Sequence, residues 1–228
     1  MNSQTIVSLC TITSIIIALA TSFLITFTLQ TPSDKYNYPN EIIPSTKQLI
    51  GKTKDAKNDA QLSSIYETAI KPAVQDYHDI ISSEVYRIGN DRLLFTIQLE
   101  GNPNHNERFE TVYVWLLSQI DRVSGKGQIH TIIIPNFAND SAFDNKGWHL
   151  AVFNNTNNQY SLPLSKLKDM PESGVEVSID PSFLGNTFSF NFSTAVMVRV
   201  NDTLVAKAPD YLMDSAPDDN TFWLNWFK

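Results

Sequence analysis

Six aspartates sit near the two ends of the region from residue 75 to the C-terminus of this 228-residue chain: Asp76 and Asp79 early, and Asp210, Asp214, Asp218 and Asp219 late. If the first and last strands of one domain are neighbours, these carboxylates meet, and hard oxygen donors of that kind suit Ca²⁺. Asp76, Asp79, Asp214 and Asp218 are the candidate ligands. The spacing is not that of an EF-hand loop. Aspartate is also favoured in turns, where its side chain accepts backbone N–H bonds, so a capping role stands beside the Ca²⁺ role. No cofactor other than this Ca²⁺ is called for.

Aromatic side chains are the second candidate chemistry, because flat rings cover the C–H faces of sugars. Trp223 and Trp226 lie near the C-terminus, while Tyr113, Trp115, Trp148 and Tyr160 lie within the strand-rich region and are the candidate glycan contacts. Tyr113 and Trp115 share one face of a strand whose other face holds Val112, Val114 and Leu116. The rings are therefore either outside or under another layer. The alternative for each ring is the core, where Trp and Tyr usually belong.

Catalytic machinery is missing from the pattern. There is no nucleophile elbow, no His-Glu-x-x-His and no phosphate loop. The one cysteine, Cys10, lies in an apolar stretch, so the polar part has no thiol for catalysis, metal binding or a disulfide. A glycosidase-like carboxylate pair is the only enzymatic alternative. The net charge of −7 leaves no basic footprint for nucleic acid. Asn-x-Ser/Thr acceptors occur at Asn139, Asn154, Asn191 and Asn201, and they matter only if the domain leaves the cytoplasm.

The elements that must position these residues begin after residue 30. Residues 6–29 carry no charged side chain, enough for a transmembrane helix. The alternative is a cleaved signal peptide with Ala18-Leu19-Ala20 as its cleavage pattern, which would release the protein. The expected organisation is a membrane segment over 1–30, a polar stalk over 31–74 that is partly helical between 45 and 70, and a β domain over 75–228.

Period-two alternation carries the last assignment. Phe188, Phe190, Phe192, Thr194, Val196, Val198 and Val200 fall on one face, and Ser189, Asn191, Ser193 and Arg199 on the other. Residues 91–101 and 175–180 alternate likewise, as one-sided antiparallel strands do. Residues 111–120, 127–135 and 148–154 are more continuously apolar, and 82–88 adds a shorter strand. About seven to nine strands are predicted, forming an all-β antiparallel sandwich. A closed barrel of lipocalin type is the alternative.

Three segments carry a resemblance: Asp76-Tyr77-His78-Asp79-Ile80 with the two strands after it, the Pro181-to-Gly185 turn before the long strand, and Asp214-Ser215-Ala216-Pro217-Asp218. Together they resemble family 9 carbohydrate-binding modules and DOMON domains. The resemblance covers 76 to about 220 and implies a surface module behind one membrane anchor, of the kind found in archaea and bacteria. By the same analogy His130 or His149 with Met197 or Met213 would be haem ligands, although nothing in their spacing selects them. The expected function is a membrane-anchored, extracytoplasmic binding module, with glycans or surface proteins as partners. The alternatives are an envelope or surface-layer scaffold without a small ligand, and an accessory domain of an extracellular enzyme.

Overall fold

The computed structural model describes residues 47–65, 70–106, 109–120, 127–137, 147–185, 189–200 and 210–218. Eleven strands are found among them: β1 (Lys47–Lys54), β2 (Ser63–Ser64), β3 (Ile80–Ile88), β4 (Arg92–Leu99), β5 (Glu110–Ile120), β6 (Gly127–Phe137), β7 (Gly147–Asn154), β8 (Gln159–Lys166), β9 (Gly174–Ile179), β10 (Asn191–Arg199) and β11 (Tyr211–Ala216). They form a four-stranded sheet in the order β1-β3-β4-β9 and a seven-stranded sheet in the order β2-β11-β10-β5-β6-β7-β8. Every pairing is antiparallel. The all-β class expected from the alternation holds, and two sheets with one core between them are consistent with a sandwich. No single closed sheet is formed among the described residues.

The alternation explains the core. Val85, Leu93, Phe95, Ile97, Val175, Val177 and Ile179 turn inward from the smaller sheet. Tyr113, Trp115, Leu117, Ile132, Ile134, Val196 and Val198 meet them from the larger one. Trp115 ties the layers with a polar contact as well, its indole N–H donating to Ser83 Oγ on β3 at 2.9 Å. On the other face of the larger sheet, Val112, Val114, Leu116, Ala195, Met197 and Leu212 form a second buried cluster with Ile65. The continuous apolar runs in β5 and β6 have this cause: both faces of the sheet centre are covered.

The partly helical stalk is corrected. Residues 47–54 are a strand, paired to β3 from Lys47 opposite Ile88 to Lys54 opposite Ser82, and 63–64 pair with β11. The stretch lacks a sequence signal because β1 is an edge strand with Leu49 and Ile50 exposed and a bulge between Leu49 and Gly51. Gly51, which looks like a helix breaker, lies close under the opposite sheet: a Cβ there would lie 2.7 Å from Cε1 of Phe192, so that ring would have to shift. Among the described residues no helix is long and apolar enough to cross a membrane, and residues 6–29 lie outside them.

Candidate metal centre

Three chain segments converge where the two sheets exchange strands. The connection from β1 to β2 crosses from the smaller sheet to the larger and carries Asp55 and Asp59. Asp79 immediately precedes β3, Asp214 lies within β11, and Asp218 follows it. Carboxylate oxygens of Asp55, Asp59 and Asp218 all lie within 4.8 Å of one another, as do those of Asp59, Asp79 and Asp214. Asp59 belongs to both groups. Two oxygens on opposite sides of a Ca²⁺ ion are separated by about 4.6–5.2 Å, twice the usual bond length, so each triad has the span of a coordination shell.

Local hydrogen bonds explain how the segments are held. Asp79, buried, accepts from the amides of Asn58 at 2.7 Å, Asp59 at 3.3 Å and Ala60 at 3.4 Å, so its carboxylate fixes the β1–β2 connection. Asn58 reaches the left-handed region at φ 62°, a conformation asparagine tolerates. Asp214, 3% exposed, accepts from Ile80 N at 2.6 Å and from Ser215 N at 2.8 Å. The capping role foreseen for these two residues is therefore present together with the clustering.

The electrostatics show what the cluster lacks. Burial and then the charges of Asp214, Asp218 and Asp59 push the Asp55 carboxyl up to about 8. Burial pushes Asp214 up to about 7, with Asp59 and Asp79 adding to the rise against the pull of the two amides. Asp59 is raised by burial and by Asp218. Asp55 Oδ2 and Asp59 Oδ1 are shut off from water without a hydrogen-bond partner. The nearby Lys57 is committed elsewhere, to Glu100 at 2.9 Å. Repelling carboxylates, two of them deeply buried, are stable only with added protons or a cation.

Of the predicted ligands, Asp79, Asp214 and Asp218 come together, while Asp76 does not. Asp76 is exposed, and its backbone carbonyl accepts from the Asp79 and Gly101 amides. Asp210 is engaged elsewhere, its Oδ2 accepting from Val200 N at 2.8 Å. Asp219 lies outside the described residues. Asp55 and Asp59 were missed because they fall in the presumed stalk. Their Asp-x-x-x-Asp spacing was a usable signal, but only once that stretch was assigned to the domain.

The aromatic candidates lie elsewhere. Tyr113, Trp115 and Trp148 are buried in the core between the sheets. Tyr113 donates to the Tyr77 carbonyl at 3.0 Å, and Trp148 to Asn104 Oδ1 at 2.8 Å. None of these three offers a ring face to a sugar; the other layer covers them, as one of the two readings anticipated. Tyr160 is half-buried and packs edge-on against Phe153. Trp223 and Trp226 lie outside the described residues. Met213 sits in the inner core and Met197 in the cluster on the opposite face, while His149 packs edge-on against Phe137 and His130 lies beside Gln119. These four side chains are thus accounted for by packing.

Of the glycan acceptors, Asn191 is exposed on β10. The Asn154 side chain accepts from the amides of Thr156 and Asn157 in the β7–β8 turn. Asn139 and Asn201 lie outside the described residues. Compared with known proteins, the chain matches no family model, no curated protein and no solved structure.

Proposed function

We propose that this chain is a non-enzymatic β-sandwich module, tethered to a membrane by residues 6–29 and displayed outside the cytoplasm, whose aspartate cluster takes a divalent cation, Ca²⁺ first. One observation carries the cation reading: five carboxylates from three distant segments meet, with two oxygens wholly buried and unpartnered. All-oxygen donors on partly rigid backbone suit a hard cation with flexible coordination. The cation would join the chain entering the domain to its last described strand. Display outside the cytoplasm is supported by the uncharged segment, by the glycan acceptors and by the exposure of Asn191. The likeness to carbohydrate-binding and DOMON modules remains part of this proposal, at the level of architecture. With Tyr113, Trp115 and Trp148 in the core, it no longer extends to an aromatic glycan platform.

The test is calorimetric titration of the full chain in detergent with CaCl₂ near pH 7. Binding accompanied by proton release is expected, because raised carboxyls must give up protons to bind metal. Asp59→Asn removes the carboxylate shared by both triads and is expected to weaken binding by at least tenfold. No heat and no thermal stabilisation with Ca²⁺ or Mg²⁺ would overturn the cation reading.

A further inference from the structure

Both edges of the four-stranded sheet are open among the described residues, since β1 pairs only with β3 and β9 only with β4. Open edges present unpaired N–H and C=O groups and are templates for another strand. The two edges differ in charge. β1 carries Lys47, Lys52 and Lys54, all exposed. β9 carries exposed Glu176, with exposed Glu172 before it and Asp180 after it. Leu49 and Ile50 on β1, 49% and 36% exposed, add apolar surface at the basic edge.

Registers place the opposite charges in one row. Lys52 stands opposite Glu84, with which it already forms an ion pair, Glu84 opposite Thr96, and Thr96 opposite Glu176, so at a junction Lys52 would lie between two glutamates. With four alternating strands, β1 and β9 run in opposite directions. A second copy translated along the sheet would therefore bring its β1 antiparallel to the first copy's β9 and continue the row with lysine beside glutamate.

We propose that β1 of one copy adds to β9 of the next, so that successive copies share one continued antiparallel sheet with Lys52 opposite Glu176 at each junction. Such a junction is heterologous and leaves a free edge at each end, so the assembly is open-ended. Lysines on an edge ordinarily discourage pairing; here they oppose β1–β1 contacts and favour β1–β9, which gives the assembly its polarity. The inference does not rest on the cation reading: Asp55 directly follows β1, but neither Lys52 nor Glu176 belongs to the aspartate cluster.

The test is sedimentation of the full chain in detergent over a concentration series. Wild type is expected to give a ladder of masses that grows with concentration and shrinks with salt. Glu176→Lys sets Lys against Lys and is expected to weaken association by roughly threefold to tenfold, the scale of a cross-strand charge pair. Lys52→Glu does the same with Glu against Glu. An equimolar mixture of the two variants restores the ladder, since every mixed junction again sets Lys against Glu. A single-chain mass at all concentrations, self-association indifferent to both substitutions, or a mixture no better than its components would overturn the proposal.

Discussion

Glu110 and Asp214 are both carboxylates almost closed off from water, at 8% and 3% exposure, yet the chain treats them differently. Glu110 on β5 faces Arg199 on β10 in register, with the guanidinium 3.2 Å from its Oε2. Asp214 faces Asp59 and Asp79. In the first place folding itself brings in the counter-charge, and the pair is complete. In the second, folding brings like charges together, and completion is left to solution: protons, or in the proposed function a cation. A buried carboxylate thus says little about binding until its neighbours are counted.

The largest expected effect distinguishes the two roles of Asp214. Asp214→Ala leaves the Ile80 and Ser215 amides without their acceptor and is expected to cost about 3 kcal/mol in urea unfolding. Asp214→Asn keeps an acceptor and removes a repelled charge, so in Ca²⁺-free buffer at pH 7 it should cost much less or stabilise. Equal losses for both variants would break the comparison. Next, Glu110→Gln takes one carboxylate away from Arg199 and should cost about 2 kcal/mol, below the range for fully buried pairs because Arg199 is partly exposed. That loss should not depend on Ca²⁺.

The most distributed effect, shared among several groups, is the dependence on pH. Raised carboxyls make the native state hold protons that the unfolded chain has released, so stability is full below about pH 4 and declines as pH rises through about 7 for Asp214 and about 8 for Asp55. His78, whose folded value is lowered to about 4 by burial, acts oppositely, losing stability as pH falls below 6.5. The clean window is therefore pH 6.5 to 8, where Ca²⁺-free protein should lose stability and Ca²⁺-saturated protein should not. Thermal unfolding at both pH values with and without chelator reads this directly, and a flat Ca²⁺-free profile would count against the cluster.

How far the sequence disclosed this arrangement depended on burial geometry. β4 and β9 were legible because one face meets the core and the other is largely in solvent, so polarity alternates, while β10 shows that alternation at Asn191 to Ser193 and is buried on both faces from Thr194 to Val198. β5, β6 and β7 were legible as apolar runs. β1 and β8 were not, because edge strands bury little: β1 is mostly exposed, and β8 is largely half-buried and carries Pro163, which breaks up its strand signal. β11 was hidden differently, since its Asp214 reads as a turn residue while all six positions are buried. The site followed the same rule. Asp79, Asp214 and Asp218 were nameable from the expectation that terminal strands meet, whereas Asp55 and Asp59 needed the tertiary fact that residues 47–65 belong to the sheets.

The double burial of β5 has a consequence for how such a chain can vary over generations. Tyr113, Trp115 and Leu117 fit one core while Val112, Val114 and Leu116 fit another, so successive positions answer to different neighbours and neither set can drift alone. β8, half in contact with water, is under no such double constraint. Descendants of a common ancestor should therefore resemble one another longest along the middle of the larger sheet and diverge first at its rim.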